Sequence, residues 1–177
     1  MLIAREKFAT NIIEYLLYMW QLEDLLRAKS LDPVRIEKEI VSGYHRPPEE
    51  MQIISEWYRS LAERMAQEEL QNQGHLASLN RLVEELNDLH LNLLNDLHDQ
   101  KYAELYGWAK EPIRALKQKI GKPGMLEIEA CLQGLYGLLL MRLQKREVSA
   151  ETLESLSTFS HLLAHLNQRY FVLCRKS

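Results

Sequence analysis

The chain of 177 residues has the length of one ordinary domain and is large enough to bury a substantial core. Its 46% hydrophobic and 27% charged residues exclude a disordered chain, and its net charge of −3 excludes the strongly basic balance that is typical of nucleic-acid or membrane-surface binding. We therefore expect a single globular domain over residues 1–177, with no nucleic-acid partner.

The first predicted helix runs from about Ala4 to Ala28 and contains the most distinctive stretch of the chain. Apolar side chains cover most of its circumference, which indicates a helix that is buried on most sides. Its polar side chains recur in steps of three and four residues, so they form one line along the helix. This polar line consists of Asn11, Glu14, Tyr18 and Gln21.

The polar line has two interpretations. It is either the solvated edge of a core helix, with Glu14 an ordinary exposed carboxylate, or the wall of a cleft, with Glu14 a partly buried acid. In the second case Glu14, Tyr18 and Gln21 face His90 or His161 across the bundle. Those side chains would then bind a small ligand in a concave pocket.

Two further helices are predicted before residue 71. Asp32 is a suitable N-cap, and Pro33 a suitable first residue, for a short helix that ends near Gly43. The next helix begins at Pro48 with glutamates in its first turn, and its apolar residues recur at helical spacing to about Leu70.

The rest of the chain predicts four more helices and no strand. Pro112 is expected to bend or break one of them, and Gly134 and Gly137 to allow close approach of a neighbouring helix. Together the helices predict an all-α fold, an antiparallel helical bundle of four or five long helices plus one or two short ones. The four helices run from near His75 to Leu97, from Tyr102 to Ile120, from Met125 to Arg146, and, capped by Ser149, from Ala150 to Cys174.

The cysteines and the N-terminal sequence predict a compartment. Cys131 and Cys174 are far apart and form no Cys-x-x-Cys motif, which is typical of a reducing compartment. No basic segment precedes an apolar one, and Glu14 and Glu23 interrupt the first apolar run, so neither a signal peptide nor a membrane span is predicted. We expect a cytoplasmic protein without a membrane partner.

Residues 11–24 carry a distinctive motif, Asn11-x-x-Glu14-Tyr15-Leu16-Leu17-Tyr18-Met19-Trp20-Gln21-x-Glu23-Asp24. This motif resembles the N-terminal signature of a bacterial family of small all-helical proteins catalogued as a domain of unknown function. The resemblance implies an all-helical fold and a bacterial cytoplasmic setting, and it implies no activity. Shorter matches extend it over nearly the whole chain, at Glu56-Trp57-Tyr58, Gly74-His75-Leu76 and Asp88-Leu89-His90.

The six histidines raise the question of a metal site. None has a glutamate three residues before it, which excludes the Glu-x-x-His pattern of di-iron bundles. His161 and His165 are four residues apart, so they share a helical face and could bind a metal ion with a third ligand from His90 or Asp88. The alternative is that both rings flank the core leucines of the last helix. No cofactor is predicted.

Catalytic and nucleic-acid motifs are missing from the sequence. Lys110, Arg114 and Lys117 form a basic face, with Lys119 and Lys122 as further candidate members. No nucleic-acid motif accompanies this face, so we interpret it as a solvated surface. No serine lies in a glycine-framed elbow, and no loop has the spacing of a phosphate-binding loop. No catalytic residue is therefore predicted.

The favoured functional hypothesis is a non-catalytic protein that works through a protein partner or as a homo-oligomer. The apolar excess of the first helix and of residues 132–141 supports it, with Tyr18, Trp20, Tyr136 and Met141 as candidate interface or pocket residues. The alternative is a small-ligand-binding protein or enzyme with an inter-helix pocket. Its candidate residues are Glu14, Tyr18, Gln21 and His90.

Overall fold

The computed structural model describes residues 2–173, which contain eight α-helices, one short 3₁₀-helix and no strand. The predicted all-α bundle is confirmed, since the helices pack against one another within each part of the chain. Cys174, the predicted end of the last helix, lies outside the described residues. No helix in residues 2–173 is both long and apolar enough to cross a membrane.

The helices fall into two compact units, one within Met1–Asn80 and the other within Arg81–Ser177. We call them unit 1 and unit 2. The boundary lies inside α5 (Ala77–Asn95), and the single domain expected over residues 1–177 stays a prediction. The other helices of unit 1 are α1 (Leu2–Thr10), α2 (Ile12–Ala28), α3 (Pro33–Glu39), the 3₁₀-helix (Val41–Tyr44) and α4 (Pro48–Gln67).

The prediction of one continuous helix from Ala4 to Ala28 is wrong, because the helix is interrupted at Asn11. Asn11 has the extended backbone of an N-cap (φ −151°, ψ 98°), and its side-chain oxygen accepts a hydrogen bond from the Glu14 backbone N–H at 3.1 Å. The Asn11 amide in turn donates to the Glu14 carboxylate at 3.0 Å. The Asn11 side chain therefore caps α2 as a new helix, and Glu14 bonds the side chain of Asn11 instead of the backbone N–H that a capping box uses.

The core of unit 1 is built on α2, as its apolar sequence predicts. Trp20 and Leu16 of α2 are buried, as are Tyr58 and Met65 of α4, and α2 packs against α4. Asp32 caps α3 as predicted, accepting hydrogen bonds from the backbone N–H groups of the first turn. The apolar circumference of α2 is thus explained by burial.

Unit 2 consists of most of α5 with α6 (Gln100–Ile120), α7 (Glu127–Leu143) and α8 (Ala150–Leu173). These last three helices pack against one another in all three pairs. α6 continues through Pro112, so of the two predicted outcomes a break is wrong, and a bend stays a prediction. Ser149 caps α8 as predicted, because its Oγ accepts from the Thr152 backbone N–H at 3.3 Å.

The two glycines of α7 differ in their surroundings. A Cβ on Gly134 would lie 2.9 Å from Leu156 Cδ2 and 2.9 Å from Phe159 Cε2, so the absence of a side chain lets α8 approach closely, as predicted. A Cβ on Gly137 would meet nothing within 4 Å, so the same prediction is wrong for Gly137.

This difference predicts opposite effects of two alanine substitutions on stability. Gly134→Ala pushes a methyl group into two buried side chains. The cost of this steric conflict exceeds the gain from the higher helix propensity of alanine, so the substitution should lower the free energy of unfolding by about 1–2 kcal/mol. Gly137→Ala meets open space and should raise it by roughly 0.5–1 kcal/mol. Urea unfolding followed by circular dichroism measures both. A Gly134→Ala variant as stable as Gly137→Ala would contradict the close packing of α7 on α8.

Candidate functional site

The predicted polar line of α2 begins at the surface of unit 1. The Glu14 side chain is 56% exposed and forms an ion pair with Lys7, with 2.6 Å between Nζ and Oε2. Together with its bond to Asn11, this contact assigns Glu14 to the start of α2, and its interpretation as a partly buried acid is wrong. A ligand-binding role for Glu14 stays a prediction, as does one for the half-buried Gln21.

Tyr18, farther along the polar line, lines a cleft of unit 1. The cleft has a volume of about 360 Å³, and Tyr18 is half-buried in its wall. Burial raises the pKa of Tyr18 to about 12, so its hydroxyl is a neutral hydrogen-bonding group at physiological pH. We call this cavity the Tyr18 cleft. It is lined by Tyr18, Leu22, Leu25, Glu39, Ile40, Gly43, Tyr44 and Tyr58.

The buried acid of α2 is Glu23, which the sequence analysis did not single out. Its side chain is fully buried, and its two carboxylate oxygens contact different groups at the start of the chain segment leading into α5. One oxygen accepts a hydrogen bond from the Leu76 backbone N–H at 2.9 Å, and the other lies 2.6 Å from Nδ1 of His75. The His75 ring stacks on Trp20, with ring centroids 4.2 Å apart. We call these contacts the Glu23 anchor.

The Glu23 anchor connects two distant parts of the unit 1 sequence and has a structural role. The carboxylate is fully buried and each of its oxygens has a protein partner, so it is not presented to a ligand. A sequence signal for its burial exists, because Glu23 follows Leu16 and Trp20 by seven and three residues and so shares their helical face. Trp20 is 2% exposed within this core, so its prediction as an interface residue is wrong.

His90 lies in unit 2, at the centre of a buried polar network. Its ring is 1% exposed, with Nδ1 at 2.9 Å from the Tyr102 hydroxyl and Nε2 at 3.1 Å from Glu127 Oε2. The other oxygen of Glu127 accepts a hydrogen bond from the Tyr106 hydroxyl at 3.1 Å. A ring protonated on Nε2 donates to the carboxylate and accepts the Tyr102 proton at Nδ1, which satisfies all three groups. We call Tyr102, His90, Glu127 and Tyr106 the His90 network.

The His90 network influences the protonation states of Glu127 and Tyr106. The hydrogen bond from His90 holds the pKa of Glu127 below its usual value, outweighing the opposing effect of burial, and the Tyr106 bond acts in the same direction. Burial and the bond to Glu127 raise the pKa of Tyr106 to about 12. Glu127 is therefore an oriented, ionised carboxylate at neutral pH.

Glu127 also lines a second cavity, of about 270 Å³, at the surface of unit 2. The wall on the α6 side carries the basic face that the sequence predicts, with cations three and four residues apart on one side of the helix. We call this cavity the cationic cleft. It is lined by Lys110, Glu111, Ile113, Arg114, Lys117, Gln118, Pro123 and Glu127.

The predicted metal ligands His161 and His165 differ in environment. His161 is exposed, whereas Nε2 of the half-buried His165 lies 3.2 Å from Oδ2 of Asp99, the N-cap of α6. Arg169 Nε lies 3.1 Å from the same oxygen as an ion pair that is not aligned as a hydrogen bond. Burial alone would raise the pKa of Asp99, but the Tyr102 backbone N–H and these two side chains lower it.

Asp99 therefore gives His165 a structural partner of its own. Within residues 2–173 no three histidine, cysteine or acidic side chains are grouped closely enough to hold a metal ion. Binding of a metal ion by His161 and His165 therefore stays a prediction, and the described residues place no third protein ligand where it could bind the same ion as this pair.

The second half of α7 carries an apolar stripe. Tyr136, Leu139 and Leu140 are half-buried and Leu143 is 67% exposed, and steps of three and four residues place them on one side of the helix. Leu138, on the opposite side, is buried. Of the predicted interface residues, Tyr136 thus belongs to this stripe, whereas the half-buried Met141 lies outside it. We call these four residues the α7 stripe.

The chain matches a protein-family profile over nearly its whole length. The family profile described as Domain of unknown function (DUF4924) matches residues 1–175. The chain belongs to the DUF4924 family. Neither the curated proteins nor the solved structures include a significant match. Membership of DUF4924 confirms the resemblance to a domain of unknown function, while the N-terminal signature and the bacterial origin stay predictions.

Removal of the Glu23 carboxylate should destabilise this DUF4924 protein strongly. Glu23→Ala leaves the Leu76 N–H and the His75 ring without their buried acceptor, which should lower the free energy of unfolding by about 2–4 kcal/mol. Asp24→Ala is the matched control, because Asp24 is the next residue and its exposed carboxylate pairs with Arg27 at 2.8 Å. Its effect should stay below about 1 kcal/mol. Equal effects in urea unfolding would contradict the anchor.

Glu127 should contribute a pH-dependent part of the stability. Because its pKa is lower in the folded chain than the usual 4.5, this contribution is present above the unfolded pKa and is lost as pH falls through the folded pKa. The stability difference between wild type and Glu127→Gln should therefore be constant at neutral pH and shrink below about pH 4.5. Urea unfolding at a series of pH values measures this difference.

The control for this titration is Glu104→Gln. Glu104 is an exposed acid of α6 that pairs with Lys101, so the variant also removes one carboxylate but leaves the His90 network intact. A pH dependence equal to that of Glu127→Gln would show that the hydrogen bonds of Glu127 are not responsible.

Proposed function

We propose that this DUF4924 protein is a non-catalytic binding protein that associates with a second copy of itself through the α7 stripe. The observation that carries the proposal is the apolar character of both sides of α7 in its second half. Leu138 faces the buried side, yet the opposite side carries Tyr136, Leu139, Leu140 and Leu143 instead of charges. Contiguous apolar side chains at a surface are typical of protein interaction sites.

The stripe suits pairing with an identical stripe. Two copies related by a two-fold axis present the same residues to each other, and antiparallel α7 helices centred between Leu139 and Leu140 would place Tyr136 opposite Leu143 of the second copy. No charged residue lies among the four members of the stripe. Such pairing therefore requires no burial of charge and brings a tyrosine, a residue enriched at interfaces, against leucines.

The buried titratable groups support a non-catalytic role. Glu23 and His90 are both nearly inaccessible to solvent, and each has protein groups on both of its polar atoms. Catalytic acids and bases need to reach a reacting atom at hydrogen-bond distance. The arrangement of Glu23 and His90 favours structure over chemistry.

Sedimentation velocity tests the self-association. At about 50 μM, well above the dissociation constants of stable dimers, the wild type should sediment with twice the mass of the chain. Leu143→Lys should shift it to the monomer, because one buried leucine contributes about 1.5–3 kcal/mol and each 1.4 kcal/mol is a tenfold change in the dissociation constant. Circular dichroism checks that the variant remains folded.

Val34→Lys is the matched control, since Val34 is an aliphatic residue that is 73% exposed in unit 1. It should leave the dimer unchanged. A monomeric wild type would overturn the proposal and favour the alternative, a small-ligand-binding protein that uses the Tyr18 cleft. Equal dissociation by Val34→Lys would instead show that α7 is not the interface.

A further inference from the structure

We propose that the cationic cleft of unit 2 is a binding site for a small zwitterion, a primary amine joined by a short chain to a carboxylate or a phosphate. The anionic group would lie between Lys110 and Lys117, and the ammonium group on Glu127. The proposal concerns a site and a ligand class that are independent of self-association through the α7 stripe.

The α6 wall of the cleft supplies positive charge, and Lys117 on this wall helps to lower the pKa of Glu127 on the opposite wall. Arg114 is paired with Glu111, with 2.7 Å between Nη2 and Oε2. Lys110 and Lys117 lie one turn to either side of Arg114, and in the described part of the chain neither ammonium group has a carboxylate at ion-pair distance. Seven residues of helix separate these two lysines by about 10 Å, which leaves room for one small anionic group between them.

The opposite wall supplies a fixed negative charge. The Glu127 side chain is 32% exposed, and each carboxylate oxygen already accepts one hydrogen bond from the buried side, from His90 and from Tyr106. A carboxylate oxygen accepts a second bond, so both oxygens retain acceptor capacity. Because two donors hold the group in place, binding of an ammonium group there loses little side-chain entropy.

The two walls together select a ligand that carries both charges. A simple anion between the lysines would also meet the negative charge of Glu127, and a simple amine on Glu127 would meet the lysines. A zwitterion matches both. The cavity volume of about 270 Å³ suits a molecule of roughly ten non-hydrogen atoms or fewer, since one water occupies about 30 Å³.

Nuclear magnetic resonance titration of the full chain with phosphoethanolamine tests the site. We expect amide shift changes centred on residues 110–127 and a dissociation constant at least tenfold lower than for inorganic phosphate or ethylamine, which each carry only one of the two charges. β-Alanine, titrated in parallel, shows whether a carboxylate replaces the phosphate. Binding of either zwitterion with this preference supports the proposal.

Matched variants assign the binding to the cleft. Lys117→Gln and Glu127→Gln should each weaken zwitterion binding at least tenfold, whereas Lys119→Gln should not, because Lys119 is an exposed lysine of α6 that does not line the cleft. Lys117 lies outside the hydrogen bonds of the His90 network, so its variant tests the site even if Glu127→Gln impairs folding. No shift with either zwitterion, equal affinity for phosphate, or equal loss in Lys119→Gln overturns the proposal.

Discussion

A carboxylate without access to water must receive hydrogen bonds from the protein, and this requirement organises unit 1 around Glu23. The Leu76 N–H and the His75 ring supply the two contacts, and His75 is in turn held by its stacking on Trp20. One acidic side chain thereby fixes where the chain enters α5 relative to α2.

Unit 2 uses a carboxylate in a related way, with a different result. Glu127 is also held by a histidine, yet it retains partial contact with solvent, so the same kind of bonding leaves an acceptor at a surface cleft. Tyr102, at the far end of the His90 network, is fully buried. The hydrogen bonds of the network therefore hold the partly exposed Glu127 carboxylate in one orientation relative to the buried core. Groups that bind a ligand specifically need such fixed positions.

The helices were predictable from the sequence because their apolar spacing, N-caps and glycine or proline ends are local signals. Asn11 was misjudged because apolar residues continue on both sides of it, although Asn11 and Glu14 have the spacing of a capping box. Helical spacing signals the burial of Glu23, which shares a face with Leu16 and Trp20, but it does not identify the donors to Glu23 or to Glu127. These donors come from residues 75–76 and from α5 and α6, and spacing alone contains no information about which segments meet.

The break between α1 and α2 at Asn11 allows α1 to unfold locally while α2 stays folded. Since the Asn11 side chain accepts a hydrogen bond from a backbone N–H of the first turn, α2 has an N-cap of its own. A nine-residue helix such as α1 is too short to persist without packing, and its contacts with α2 include the Lys7 ion pair and the edge-on Phe8–Tyr15 ring pair. Opening of α1 can thus remain a local event, and its amide hydrogens should exchange with solvent through a route that leaves the core of unit 1 closed.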